Sequence, residues 1–289
     1  MGSNPIGHPI SAYPALPHKW RPPARAAYAT SGSAFSAICL SALEQVRLNA
    51  AGFLRSADPE FLHQLRVGLR RLRAALRAFR RVAPRRLSRR VRRRLKHAAT
   101  SLGEARDWDV LCQWLASGKR PSTELEARRD AARRRARKAV RSPEFMRALA
   151  DADALARGMT RDVPLMELAA HALDKSHRRV AKAARREPWD DAPARHALRI
   201  RVKRLRYCCD YFAPRYRASE GYVDSVKALQ DVLGQLNDAA VARRLLAEAA
   251  HMPPAVRASL ERREARLVRQ LPRAWRAFED LRPFWKAPR

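Results

Sequence analysis

The segment FLHQLRVGLRRLRAALRAF at residues 61–79 recurs as ARHALRIRVKRLRYCCDYF at residues 194–212. At a constant offset of 133, His63 falls on His196, Leu65 on Leu198, Arg66 on Arg199 and Arg70 on Lys203. Arg71 likewise falls on Arg204, Leu72 on Leu205, Arg73 on Arg206 and Phe79 on Phe212. A second pair follows in the same order. LKHAATSLGEARDWDVL at 95–111 lies on VKALQDVLGQLNDAAVA at 226–242 with an offset of 131, which matches Lys96 with Lys227, Leu102-Gly103 with Leu233-Gly234 and Arg106-Asp107 with Asn237-Asp238. Two different motifs in one order and at nearly one spacing mark an internal duplication. The unit is too long, and occurs too few times, for a solenoid.

Outward from these segments the same periodicity continues. After Ser33, Gly and Pro are sparse within long stretches, and apolar residues return every three to four positions, which is the period of a helix with one buried face. Asp58-Pro59, Pro84, Ser117-Gly118 with Pro121, Ser142-Pro143, Gly158, Pro164, Pro188, Pro193, Pro214 and Pro253-Pro254 punctuate the pattern into roughly eight helical stretches. The fold class is therefore all-α. The simplest architecture is two pseudo-twofold-related four-helix bundles, spanning about 33–157 and 164–289, with one basic groove or cavity between them. Residues 1–32 are rich in Pro, Gly and Ser and have no apolar core of a secretory signal, so they read as a flexible leader. No stretch is apolar enough to span a bilayer, which points to the cytoplasm. Cys39, Cys112, Cys208 and Cys209 show no metal-ligand or disulfide spacing and read as small apolar helix residues.

Charge decides the function class. The chain has 61 basic and 28 acidic residues, a formal net charge of +33. Nine of the basic residues are Lys, leaving 52 Arg, whose planar donor fork matches phosphate oxygens better than the point charge of an ammonium. Such an excess repels itself unless an anion compensates it. On a helix, His63, Arg66, Arg70, Arg73 and Arg77 share one face without an acid among them, beside a core-facing stripe of Leu65, Leu69, Leu72, Leu76 and Phe79. In the repeat, His196, Arg199, Lys203 and Arg206 share a face, Leu198, Val202, Leu205 and Phe212 are apolar, and Asp210 ends the run. Cationic heads about one turn (~5.4 Å) apart form a line that a linear polyanion can follow, exchanging its counterions for guanidinium groups.

A solvated, salt-bridged surface helix normally carries Glu or Asp four residues from its Arg and Lys. The first stripe does not, and its pattern recurs in the second with the histidine in register. His63 and His196 therefore read as the first members of the stripes, and a bound phosphate would favour their charged form. Lys96 and Lys227 are matched one helix downstream, with Arg89 and Arg93 on the turns before Lys96. The Leu-Gly-x-x-Arg/Asn-Asp motif reads as structural, its Gly permitting close packing or a break and Asp107 and Asp238 capping the helix that follows. His97, His171 and His177 lack matching partners and read as bystanders.

HQLRVGLRRLRAALRAF, LGEARDWDVL, HALRIRVKRLRYCCDYF and LQDVLGQLNDA together resemble the CHAD family, the conserved-histidine α-helical domain, over most of the chain from about Ser33. The resemblance implies two helical bundles around a basic cavity, binding of long-chain inorganic polyphosphate, association with polyphosphate granules, no catalysis and no cofactor. The ligands it implies are His63, Arg66, Arg70, Arg73, Lys96, His196, Arg199, Lys203, Arg206 and Lys227. The acidic ExExK strand of the catalytic domain that often precedes such domains has no counterpart here. The nearest string, Glu124-Leu125-Glu126-Ala127-Arg128, ends in Arg and reads as helix.

Other classes fit less well. Phosphate chemistry assisted by a metal needs clustered carboxylates, and the acids are scattered, with no nucleophile–base pair. Charge alone predicts non-specific binding to DNA or RNA, but only 7% of residues are aromatic, and Trp108, Trp114, Trp189, Trp275, Phe145 and Phe278 are not interleaved with the stripes as base stacking requires. No helix sets Trp, Phe and Leu opposite Lys as a membrane-surface protein would.

Overall fold

Each helix begins where the sequence supplies an acceptor for its orphan amides. Thr30 starts α1 (Ser31–Arg55) with a capping box, its hydroxyl accepting from the Ser33 amide while the Ser33 hydroxyl accepts from the Thr30 amide. Asp58 caps α2 (Pro59–Ala78), and Ser122 and Ser142 cap α5 (Thr123–Val140) and α6 (Pro143–Arg157). Between them lie α3 (Arg85–Ser101) and α4 (Gly103–Ala116). Next come α7 (Leu165–Ala184), α8 (Ala192–Phe212, capped by Asp191), α9 (Glu220–Glu248) and α10 (Pro254–Glu279). The computed structural model describes residues 16–116, 121–159, 161–185, 189, 191–249 and 252–286, and no strand occurs among them. The chain divides into two compact units, Met1–Leu168 and Ala169–Arg289.

The first unit corrects the expectation of four helices per half, since it holds α1 to α6. The reason is visible in the duplication. Leu102-Gly103 ends α3 and starts α4, whereas its counterpart Leu233-Gly234 lies inside the continuous α9. Likewise α5 and α6, broken at Ser142-Pro143, stand where α10 runs through, starting 131 residues after α5 and carrying Pro272 within it. Asp107 and Asp238 are consequently helix-interior residues, not the caps the motif suggested. The stretch expected as a leader, residues 1–32, is described only from Leu16 onward, residues 1–15 lying outside the described residues. There the His18 amide donates to Asn49 Oδ1 at 3.1 Å, and the Arg71 guanidinium lies 3.9 Å from the ring centre of Trp20. Residues 18–20 are thus held against α1 and α2 by a hydrogen bond and a cation–π contact.

The core is where the apolar periodicity put it. Leu62, Leu65, Leu69, Leu72, Leu76 and Phe79 are buried, and α2 packs against α1 so closely that a Cβ at Gly68 would meet Val46 Cγ2 at 2.7 Å. In the second unit Leu198, Val202, Leu205 and Phe212 are buried on α8, which packs on α9, itself packed on α10. All four cysteines are free and buried, and burial pushes the Cys112 thiol up to about 11.

Several arginines serve the fold. Arg133 of α5 pairs with Asp109 of α4 at 2.8 Å, with side chains only 6% and 1% exposed. Arg137 donates to the Phe53 and Ser56 carbonyls at the end of α1 at 3.2 and 3.1 Å, satisfying acceptors a helix C-terminus leaves open. Arg195 of α8 is buried between the Trp189 carbonyl (3.0 Å) and Glu264 of α10 (2.8 Å).

His177, unmatched in the sequence, belongs to the interior of the second unit. Its Nδ1 is 2.8 Å from the Tyr222 hydroxyl, and its ring stands against Phe278 and Trp285. Burial holds this imidazole below its ordinary range, Lys286 adds to the effect and Asp174 opposes it. The unfolded chain therefore takes up this proton at higher pH than the folded one. The associated stability is complete above the unfolded value of about 6.5 and is lost as pH falls through the lower folded value. We expect the melting temperature to drop on acidification from about pH 7 to 5, and to drop less in His177→Phe/Tyr222→Phe, which keeps the rings but removes the titrating group. Equal slopes in the two proteins would contradict this assignment.

Candidate anion-binding site

On α2, His63, Arg66, Arg70, Arg73 and Arg77 are all half-buried, on the flank between the buried leucine stripe and solvent. A long cation in such a position lays its stem on the protein and keeps its head accessible. The helix α3 runs antiparallel beside this flank. Arg66 Nη1 donates to the Ala99 carbonyl at 2.7 Å near the end of α3, and Ser88 Oγ, near its start, donates to the Leu76 carbonyl at 3.4 Å. By helical geometry Arg89, Arg92 and Lys96 lie on the side of α3 that carries Ala99, while Arg93 turns about 60° further round, toward Arg94. Arg94 is drawn away to Asp151 of α6. Arg89, Arg93 and Lys96 are exposed. The structure thus brings Arg89 and Lys96 alongside the α2 stripe and leaves Arg93 at its outer edge.

Arg70 packs its stem deepest at the Nε end. Its Nε is buried, and no hydrogen-bond partner reaches it among the described residues.

The second unit builds the same face on α8. His196 is exposed, while Arg199, Lys203 and Arg206 are half-buried. Here a side chain of α9 does the orienting. Asn237 Oδ1 receives Arg199 Nη1 at 3.1 Å and lies 2.9 Å from His196 Nδ1. Because the oxygen only accepts, the His196 proton sits on Nδ1, and Nε2 is left facing away from this bond. Arg206 donates to Asp210 at 2.9 Å, so the acid that ends the stripe also meets part of its charge. Lys227 is exposed on α9.

Asn237 is the residue whose role the sequence concealed. Its counterpart in the repeat, Arg106, reaches Gln113 at 3.5 Å. The mismatch of Asn with Arg made the motif look structural, although an acceptor one helix away from a matched His and Arg was the available signal. The matched glycines do not enforce tight packing either. A Cβ at Gly103 would stand 3.5 Å from Arg66 Nη1, an ordinary contact, and at Gly234 nothing lies within 4 Å. Of the two, only Gly103 stands beside its positioned guanidinium, that of Arg66.

The sequence profile of the CHAD domain family matches residues 37–247. Among solved structures, the crystal structure of the CHAD domain from the plant Ricinus communis is similar at 30% identity and a TM-score of 0.74, covering 93% of this chain and 98% of that one. PptA from Streptomyces chartreusis shares the fold at 17% identity and a TM-score of 0.62, covering 87% of this chain and 99% of that one. A search of the curated proteins finds no match. With two helices each presenting a histidine-led row of positioned cations, and with the profile and the plant structure covering most of its length, the chain belongs to the CHAD family.

Proposed function

We propose that this protein binds inorganic polyphosphate, without catalysing a reaction on it, through the cationic faces of α2 and α8 and their neighbours on α3 and α9. The observation that carries the reading is that one histidine-led cationic face is built twice, with its first arginine fixed in each copy, Arg66 by the Ala99 carbonyl and Arg199 by Asn237. Fixing these forks in advance lowers the entropy lost when they take up phosphate oxygens. A linear polymer presents those oxygens at short, regular intervals, whereas among the described residues the α2 face carries no aromatic side chain and the α8 face only the half-buried Tyr207 on which a base could stack. Arg66, Arg70, Arg73, Lys96, Arg199, Lys203 and Lys227 are its principal ligands, with Arg77, Arg89 and Arg206 extending the rows and Arg93 at the margin. Such a protein works in the cytoplasm at polyphosphate granules, and no helix among the described residues is long and apolar enough to cross a membrane.

The histidines provide the test. With Nδ1 of His196 already bound to Asn237, protonation adds a donor at Nε2 for the anion. Affinity for long-chain polyphosphate is expected to tighten about tenfold as pH falls from about 8 to 6. His63→Gln/His196→Gln should flatten that dependence. A double variant that keeps the full pH dependence would remove the histidines from the site.

A further inference from the structure

A separate basic cavity lies in the second unit, away from the α8 stripe. It has a volume of about 490 Å³ and is lined by His177, Arg178, Ala181, Lys182, Arg185 and Lys286. Arg178 and Lys182 stand four residues apart on one face of α7, and Arg185 follows in the turn just past its end, where its amide donates to the Ala181 carbonyl at 3.2 Å. Lys286 joins them from the short 3₁₀ turn Phe284–Lys286 near the C-terminus. The base is rigid, because His177 is tied to the Tyr222 hydroxyl and wedged against Phe278 and Trp285.

The charges are only partly compensated. Asp174 takes Arg178 at 2.8 Å and Lys286 at a looser 3.6 Å. Among the described residues, Lys182 and Arg185 have no acid, and both are exposed. Four cations thus stand against one carboxylate among the described residues. A single halide could not touch cations set a turn apart, and a space of about 490 Å³ takes only a few phosphoryl groups. We infer that this cavity is a second anion site, selective for a short phosphate oligomer of two or three phosphoryl groups, distinct from the polymer-binding faces and independent of whether those faces bind polyphosphate.

The experiment is a calorimetric titration of tripolyphosphate, and separately of orthophosphate, into the full chain at near-physiological salt. Wild type, Lys182→Ala/Arg185→Ala and Arg66→Ala/Arg199→Ala are compared. Both cavity substitutions fall on exposed residues, so folding is retained, and a thermal melt checks this. Wild type should bind one tripolyphosphate in a saturable step and orthophosphate at least tenfold more weakly. The cavity variant should lose tripolyphosphate affinity by about tenfold or more, as expected for two charge-assisted contacts, while the stripe variant keeps it. The inference is overturned if wild type shows no saturable step, if the cavity variant binds as wild type does, or if the stripe variant alone abolishes the step. A stripe variant that loses long-chain polyphosphate but keeps tripolyphosphate separates the two sites.

Discussion

Arg66→Ala combined with Arg199→Ala is expected to weaken binding of long-chain polyphosphate by about 10²- to 10⁴-fold, with little change in stability. Each arginine contributes charge-assisted hydrogen bonds worth about 1.5–3 kcal/mol. The two have different partners, so their losses add to about 3–6 kcal/mol, and each 1.4 kcal/mol is tenfold. Stability is spared because the Ala99 carbonyl near the end of α3 and the Asn237 amide on a half-buried flank can turn to water. The matched control is Arg134→Ala/Arg269→Ala, which removes the same charge from exposed positions on α5 and α10. If both double variants lose affinity equally in a filter or fluorescence titration, net charge and not the placement of the guanidinium groups is responsible. Asn237→Ala should reproduce part of the Arg199 effect, since it frees both His196 and Arg199.

Asp109→Ala is expected to destabilise the protein by about 3–5 kcal/mol, because it leaves Arg133 buried with its charge unmet. Among the described residues, Arg133 would keep the Ser56 carbonyl at 3.4 Å and the face of Phe53, 5.2 Å away. Burial pushes the Asp109 carboxyl up and Arg133 pulls it back, with burial the larger effect, so the pair pays heavily in lost hydration. Replacing both partners together, as Asp109→Leu/Arg133→Met, should therefore cost far less than Asp109→Ala alone. Chemical denaturation of the single and double variants measures the difference. A single variant within about 1 kcal/mol of wild type would mean that water reaches Arg133.

Much of this was readable from the chain itself. The apolar positions of 61–79 and 194–212 are buried as their period demanded, and the cationic positions lie together on one flank of each helix. Two kinds of feature were not readable. Leu-Gly stands in both repeats, yet it breaks the first helix and not the second. The flanks differ, since Thr100 and Ser101, whose hydroxyls donate to the Lys96 and Ala98 carbonyls at the break, stand where the second copy has Asp231-Val232. In the first copy the Asp109–Arg133 pair ties the new helix α4 to α5, whereas α9 carries on to pack against α10. The second kind is the division of labour among arginines. In a chain where most charge is guanidinium, Arg71, Arg133, Arg137 and Arg195 resemble their neighbours, and only burial reveals that they hold Trp20, Asp109, the end of α1 and Glu264. Asn237 escaped for the reverse reason, because a neutral amide in a basic motif gives no charge signal.

The most direct test of polyphosphate selectivity is a competition titration at near-physiological salt. Labelled long-chain polyphosphate bound to the wild-type protein is displaced by duplex DNA, single-stranded RNA or pyrophosphate, each matched by charge. The proposed site predicts that unlabelled polyphosphate displaces the label at far lower charge concentration than either nucleic acid, and that Arg66→Ala/Arg199→Ala erases that advantage. Equal displacement by DNA or RNA, unchanged in the double variant, would mean that α2 and α8 are parts of a diffuse basic surface and not a site for polyphosphate.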